Sequence, residues 1–74
     1  MKNKIKEIEN IFKSKEVEVS YNEFRDEIIV NVWGNTWKKL DNEKSALWKK
    51  FSDYIDTNDL DYEYNYHNII IFEE

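Results

Sequence analysis

The 74-residue chain contains no cysteine, no proline, one glycine and one histidine, and these shortages exclude several classes of protein. Without cysteine there is neither a disulfide to hold a small fold together nor a thiolate to bind a metal. A single histidine, His67, is too few for a typical zinc site or a histidine-centred catalytic array. A single glycine cannot supply a phosphate-binding glycine-rich loop. We therefore expect no metal and no cofactor, and a fold that is held together by packing alone.

Long apolar runs are also absent. The longest, residues 69–72, is far shorter than the ~20 residues that span a membrane. Charges occur throughout residues 1–15, unlike the apolar stretch of a signal peptide. These patterns favour a cytoplasmic protein with no membrane partner, and a chain of this length is expected to form one domain, residues 1–74.

Three tryptophans, five tyrosines and four phenylalanines supply the material for a core, and their spacing predicts the secondary structure. Isoleucines at helical spacing predict a helix over residues 2–13, and strict alternation predicts a strand over residues 16–21. Residues 27–33 form the next predicted strand. A second helix is predicted from about Asp41, as its N-cap, to about Asp56.

The last part of the chain is predicted to form a hairpin. Residues 59–66 alternate between acidic or amide side chains and apolar ones, and residues 69–72 are apolar, with a turn expected at His67 and Asn68. The predicted order is α-β-β-α-β-β. It indicates a small α+β domain with a four-stranded, mainly antiparallel sheet packed with two helices.

The charge is unevenly distributed along the chain. Residues 1–52 hold all eleven basic residues and nine acidic ones, whereas residues 53–74 hold seven acidic residues and no lysine or arginine. The alternate positions Asp59, Asp61 and Glu63 are predicted to lie on one strand face, about 7 Å apart, with Asp53 and Asp56 nearby on the second helix. Such a row is more often an inert solvated surface. Alternatively, it can occupy a basic groove that normally holds the phosphates of DNA or RNA.

A second pattern bears on this choice, because the predicted sheet is apolar on both faces. Ile29, Trp33, Ile70 and Phe72 alternate with the other apolar residues of their strands, and two helices can cover one face only. Either the helices divide between the faces or one strand is fully buried. Alternatively, an apolar and aromatic patch remains exposed as a contact surface for a partner or for a second copy of the chain.

The sequence offers little for catalysis. The acidic stretch that starts at Asp59 fails as a calcium loop, because Tyr64 and Ile70 stand where the turn glycine and the bidentate glutamate are needed. No serine lies in a nucleophile motif, and a domain this small rarely builds a substrate pocket. We therefore expect a protein that is not an enzyme and has no small-molecule substrate. Weak nucleic-acid binding by the lysines and tryptophans around the second helix is an alternative, although the net charge of −5 opposes it.

Lysine, asparagine, isoleucine, tyrosine and phenylalanine, whose codons are AT-rich, fill 37 of the 74 positions. In this composition, and in size, acidity and aromatic content, the chain resembles the small acidic inhibitors that phages and other mobile elements make against host nucleases, including anti-CRISPR proteins and DNA mimics. The resemblance carries over no functional residue. It implies a host–virus interaction protein that blocks the basic nucleic-acid-binding groove of a host nuclease such as a CRISPR effector. The residues predicted to contact the partner are Asp53, Asp56, Asp59, Asp61, Glu63, Tyr62, Tyr64, Tyr66, Trp33 and Phe72. The tyrosines would belong to the core instead if the last hairpin is half-buried. The alternative function is a small structural or regulatory protein that oligomerises, for example as a homodimer, or binds a partner through the apolar face of the sheet.

Overall fold

The structure, a computed structural model, describes residues 1–73 and consists of three α-helices and one four-stranded sheet. After a 3-10 turn at Lys2–Lys4, the elements are α1 (Ile5–Phe12), β1 (Val17–Asn22), β2 (Glu27–Val32), α2 (Gly34–Leu40), α3 (Ala46–Thr57), β3 (Leu60–Asn65) and β4 (Asn68–Glu73). The predicted α+β class is confirmed. The predicted order is also correct, except that the chain contains one more helix, α2.

Two hairpins, β1–β2 and β3–β4, lie side by side to form the sheet. The strand order is β1-β2-β4-β3, and every neighbouring pair is antiparallel. The central pair joins the hairpins, with Val30 opposite Ile69 and Ile29 opposite Ile70. Consequently β2 and β4 are the inner strands, and β1 and β3 are the edges.

The core lies between one face of this sheet and the helices. Ile28, Val30, Ile69 and Ile71 are fully buried there, and α1 packs over β1 while α3 packs over β3. Phe51 of α3 is also fully buried. All the large buried side chains therefore belong to one cluster on one side of the sheet, and the alternate residues of each strand point to the other side.

Helix α2 was not predicted, because Gly34 and Asn35 were interpreted as a break after the second strand. Gly34 has φ of 63° and starts the helix. The free backbone N–H of Thr36 donates to Glu16 Oε1 at 3.0 Å, and the Thr36 hydroxyl donates to the same oxygen at 3.0 Å. The carboxylate that stabilises the start of α2 thus comes from 20 residues upstream, where no local pattern reveals it.

Two predicted boundaries are also wrong. Ser45, not Asp41, caps α3, because its hydroxyl accepts a hydrogen bond from the Trp48 N–H at 3.1 Å. Asp41 follows the end of α2. The turn between β3 and β4 is formed by Tyr66 and His67, and the φ of His67 is 60°, whereas Asn68 already belongs to β4.

Glu16 should make the stability of the fold depend on pH. The hydrogen bonds from the Thr36 backbone and side chain lower the pKa of the Glu16 carboxyl. The ionised Glu16 carboxylate therefore contributes fully to the free energy of unfolding above the pKa of an unfolded glutamate. This contribution is lost as the pH falls through the lower pKa of the folded state. We expect Glu16→Gln to lower the free energy of unfolding at about pH 7, and to cost much less at about pH 3, in urea titrations.

Glu23→Gln, at an exposed position of the β1–β2 turn, is the matched control and should cost little at either pH. An equal loss for Glu16→Gln at both pH values would show that the carboxylate charge does not stabilise α2.

Candidate protein-binding site on the open sheet face

The sheet surface opposite the helices, here called the open face, has no element of residues 1–73 packed over it. The register places twelve residues on it: Glu18, Ser20, Asn22, Glu27, Ile29, Asn31, Asp61, Glu63, Asn65, Asn68, Ile70 and Phe72. All three helices pack on the other side. The helices therefore do not divide between the two faces, and one face of the sheet is left uncovered.

The open face has an apolar centre and a polar border. Ile29 and Ile70 are opposite one another on the inner strands, and Phe72 lies two residues further along β4. Glu63 is opposite Ile70, and Asp61 is opposite Phe72, on the edge strand β3. A central apolar cluster with a polar rim is the usual anatomy of a protein–protein interface.

The charge of the open face has one sign. It carries the carboxylates of Glu18, Glu27, Asp61 and Glu63, and the four strands contain no lysine or arginine. Within residues 1–73, no lysine or arginine side chain lies within 4.0 Å of a carboxylate, so these charges are not neutralised by direct ion pairs. The helical elements, by contrast, include seven lysines: Lys2, Lys4, Lys6, Lys38, Lys39, Lys49 and Lys50. The same elements also include Glu7, Glu9, Asp53 and Asp56, so the helical side carries charges of both signs, whereas the open face carries carboxylates alone.

The structure brings together only part of the predicted acidic row. Asp61 and Glu63 share the open face, but Asp59 lies in the turn before β3, with φ of 53°. Asp53 and Asp56 lie on α3, so they do not continue the row. A regular strand was assumed from residue 59, whereas β3 starts at Leu60.

Two other carboxylates on the open face, Glu18 and Glu27, were missed by the sequence reasoning. Glu18 alternates with Val17 and Val19, which is the signal that could have placed it on the outer face of its strand. What the sequence did not show is the β2–β4 pairing. That pairing brings the first hairpin, with Glu18 and Glu27, into the same sheet as Asp61 and Glu63.

The predicted aromatic contacts fall into different environments. Tyr62 and Tyr64 point to the helical side, where they are partly buried against the core. They therefore belong to the core and do not lie on the open face beside Asp61 and Glu63. Tyr66 is 81% exposed in the hairpin turn, Trp33 is 44% exposed just after β2, and Phe72 is half-buried on the open face. These last three remain accessible to a partner.

The lysines and tryptophans around the second predicted helix, considered above for nucleic-acid binding, also lie in different environments. Trp37 is only 7% exposed and stacks on Tyr64 with a centroid distance of 5.3 Å. Trp48 packs against Phe51 at 5.7 Å. Lys38 is exposed, but the Trp37 ring belongs to the core, so that of the two rings only Trp48 keeps a partly exposed face for stacking with bases.

Within residues 1–73, no group of three histidine, cysteine, aspartate or glutamate side chains is arranged to hold a metal ion. None of the helices in this part of the chain has the length and apolarity needed to cross a bilayer. The chain matches none of the protein-family models, curated proteins or solved structures with which it was compared. Its function therefore has to be inferred from the open face itself.

Proposed function

We propose that the chain is a non-enzymatic inhibitor that binds a protein through the open face and occupies a basic surface on which that protein holds DNA or RNA. The composition of the open face is the main support for this proposal. Four carboxylates, and no lysine or arginine, surround the apolar centre of Ile29, Ile70 and Phe72. A partner with the complementary surface has clustered lysines and arginines, as nucleic-acid-binding grooves do.

The spacing of the carboxylates supports a nucleic-acid site rather than any other basic surface. Asp61 and Glu63 are two residues apart on β3, which places them about 7 Å apart along the edge of the sheet. Glu27 lies two strands away, at a lateral distance of about 10 Å. Negative charges repeated over such distances can substitute for a phosphate backbone, while the apolar centre adds contact area that a nucleic acid lacks.

Charge also favours a foreign partner over a second copy of the chain. Two copies that met through this face would bring like-charged borders together, which is unfavourable in the absence of intervening cations. Association with a basic protein has no such cost and is accelerated by long-range attraction. We propose that the partner is a host nuclease, such as a CRISPR effector, and that the chain binds it in the cytoplasm. This agrees with the proposed origin of the chain in a phage or another mobile element.

The test compares two charge reversals of equal size. Asp61→Lys/Glu63→Lys changes the open face, and Asp53→Lys/Asp56→Lys makes the same change on the exposed side of α3. Proteins retained from host lysate by the wild-type chain should be identified by mass spectrometry, and a retained nucleic-acid-binding protein should be purified. Its affinity for the three chains should then be measured by titration calorimetry.

We expect the open-face variant to bind at least about 100-fold more weakly than the wild type, because each reversed charge replaces an attraction with a repulsion. The α3 variant should retain most of the affinity. Equal loss in both variants would contradict the open face as the site.

Self-association through the apolar centre is the second candidate, favoured by the half-buried Ile29, Ile70 and Phe72. Light scattering on the isolated chain distinguishes it from the first. A dimer that Phe72→Ser converts to a monomer, without any effect of Asp61→Lys/Glu63→Lys, would support this candidate and contradict the first.

A further inference from the structure

A pocket of about 290 Å³ lies on the helical side of β3, away from the open face. It is lined by Leu40 at the end of α2, Asp41 and Glu43 in the α2–α3 loop, Trp48 of α3, and Tyr62 and Tyr64 of β3. No such cleft was predicted from the sequence. Its volume is just below the range of about 300–1,000 Å³ that is typical of small-molecule sites, which suits a small group.

Three aromatic rings form its walls and meet at large angles. The Trp48 ring lies at 88° to Tyr64, with centroids 5.8 Å apart, and at 75° to Tyr62, with centroids 6.1 Å apart. Each of the three side chains remains partly exposed. Rings arranged around a small space in this way present several electron-rich faces to one group.

The ring positions are fixed by the core. Tyr64 stacks on Trp37 on one side, and its hydroxyl donates to Asp41 Oδ1 at 2.8 Å. Tyr62 and Trp48 both pack against the fully buried Phe51. The pocket is therefore preformed, and a ligand would need to order few side chains.

The charged lining of the pocket is acidic. Asp41 and Glu43 contribute carboxylates at its exposed side, and no lysine or arginine of residues 1–73 lies within 4.0 Å of either. Aromatic walls with adjacent carboxylates are the combination that binds quaternary ammonium groups, because the ring faces and the carboxylates both attract a bulky cation that water solvates weakly.

From this geometry we infer that the pocket binds a methylated ammonium group, such as the head of choline or the side chain of trimethyllysine. Trp48, Tyr62 and Tyr64 surround the methyl groups, and Asp41 and Glu43 neutralise the charge. This site is distinct from the open face and does not depend on the proposed inhibitor function.

The experiment is an NMR titration of the full chain with choline and, separately, with 3,3-dimethylbutan-1-ol, the uncharged isostere of choline. We expect choline to shift the Trp48 indole N–H signal with a dissociation constant in the millimolar range, and its methyl protons to move upfield in the ring currents. The isostere should bind at least about fivefold more weakly, since it lacks the cation–π attraction. Equal binding of the two would overturn the inference.

Two variants locate the site without disturbing the core. Asp41→Asn/Glu43→Gln removes both pocket charges at exposed positions, and the amide of Asn can still accept the Tyr64 hydrogen bond. Asp53→Asn/Asp56→Asn removes the same charge from α3 outside the pocket and is the matched control. Choline affinity should fall about fivefold in the first variant only. A fall of equal size in both, or in neither, would show that choline does not bind in this pocket.

A third titration, with a peptide that contains trimethyllysine, separates the two sources of this group. Tighter binding of the peptide than of choline would identify a modified protein as the ligand, and tighter binding of choline would identify a free metabolite. Both results support the pocket. If neither ligand shifts the Trp48 signal, the inference is wrong.

Discussion

Replacing Phe51 with alanine is expected to leave most of the chain unfolded at room temperature. Phe51 is fully buried and contacts three other rings, those of Phe12, Trp48 and Tyr62, at centroid distances of 6.1, 5.7 and 5.5 Å. It thus joins α1, α3 and β3. Removing a buried phenylalanine costs about 3–5 kcal/mol, which is comparable to the whole stability of a domain below about 80 residues without disulfides or metals.

The measurement is a urea titration followed by circular dichroism, with Phe24→Ala as the control. Phe24 lies in the β1–β2 turn and is fully exposed, so the same substitution there should change the free energy of unfolding by no more than about 0.5 kcal/mol. A Phe51→Ala chain that unfolds at the same urea concentration as Phe24→Ala would contradict the packing of α3 described here.

The second large effect is expected for Gly34→Ala, at the first residue of α2. The φ of 63° at this position is unfavourable for any residue with a Cβ atom, and an added Cβ would lie 1.9 Å from Glu16 Oε2. The Glu16 side chain would have to move, and its hydrogen bonds to Thr36 would weaken. We expect a loss of about 1–3 kcal/mol in the free energy of unfolding.

Asn35→Ala tests the same helix one residue later, at an exposed position, and should be nearly neutral. If thermal unfolding of the two variants occurred at the same temperature, the left-handed start of α2 and its contact with Glu16 would not be features of the protein in solution.

The sheet and the helices α1 and α3 were predicted from the sequence, because apolar residues repeat with a period of two in the strands and of about 3.6 in these helices. Ile28, Val30, Ile69 and Ile71 share one face, as a period of two requires, but both faces are apolar in the sequence, and it is the packing of the helices that shows which one is buried. Helix α2 could not be predicted in this way, because Glu16 and Ser14 stabilise its start from a distant part of the chain. Glu16 accepts from Thr36, and the hydroxyls of Ser14 and Thr36 are 2.6 Å apart.

The candidate site was only partly predicted for a related reason. Alternation within β3 was enough to place Asp61 and Glu63 on one face, but it does not indicate which strands are neighbours in the sheet. The β2–β4 pairing sets Ile29 beside Ile70 and brings Glu18 and Glu27 to the same surface. The pocket formed by Trp48, Tyr62 and Tyr64 was missed because it depends on the packing of α3 against β3, which periodicity does not specify.

Competition with nucleic acid is the most direct test of whether the open face occupies a nucleic-acid-binding surface of a protein partner. A purified partner loaded with fluorescently labelled DNA or RNA should be titrated with the chain, and release should be followed by fluorescence anisotropy. We expect the wild-type chain and Asp53→Lys/Asp56→Lys to displace the nucleic acid completely, and Asp61→Lys/Glu63→Lys to displace none at the same concentrations. A ternary complex, in which the chain is bound while the anisotropy stays high, would contradict this proposal.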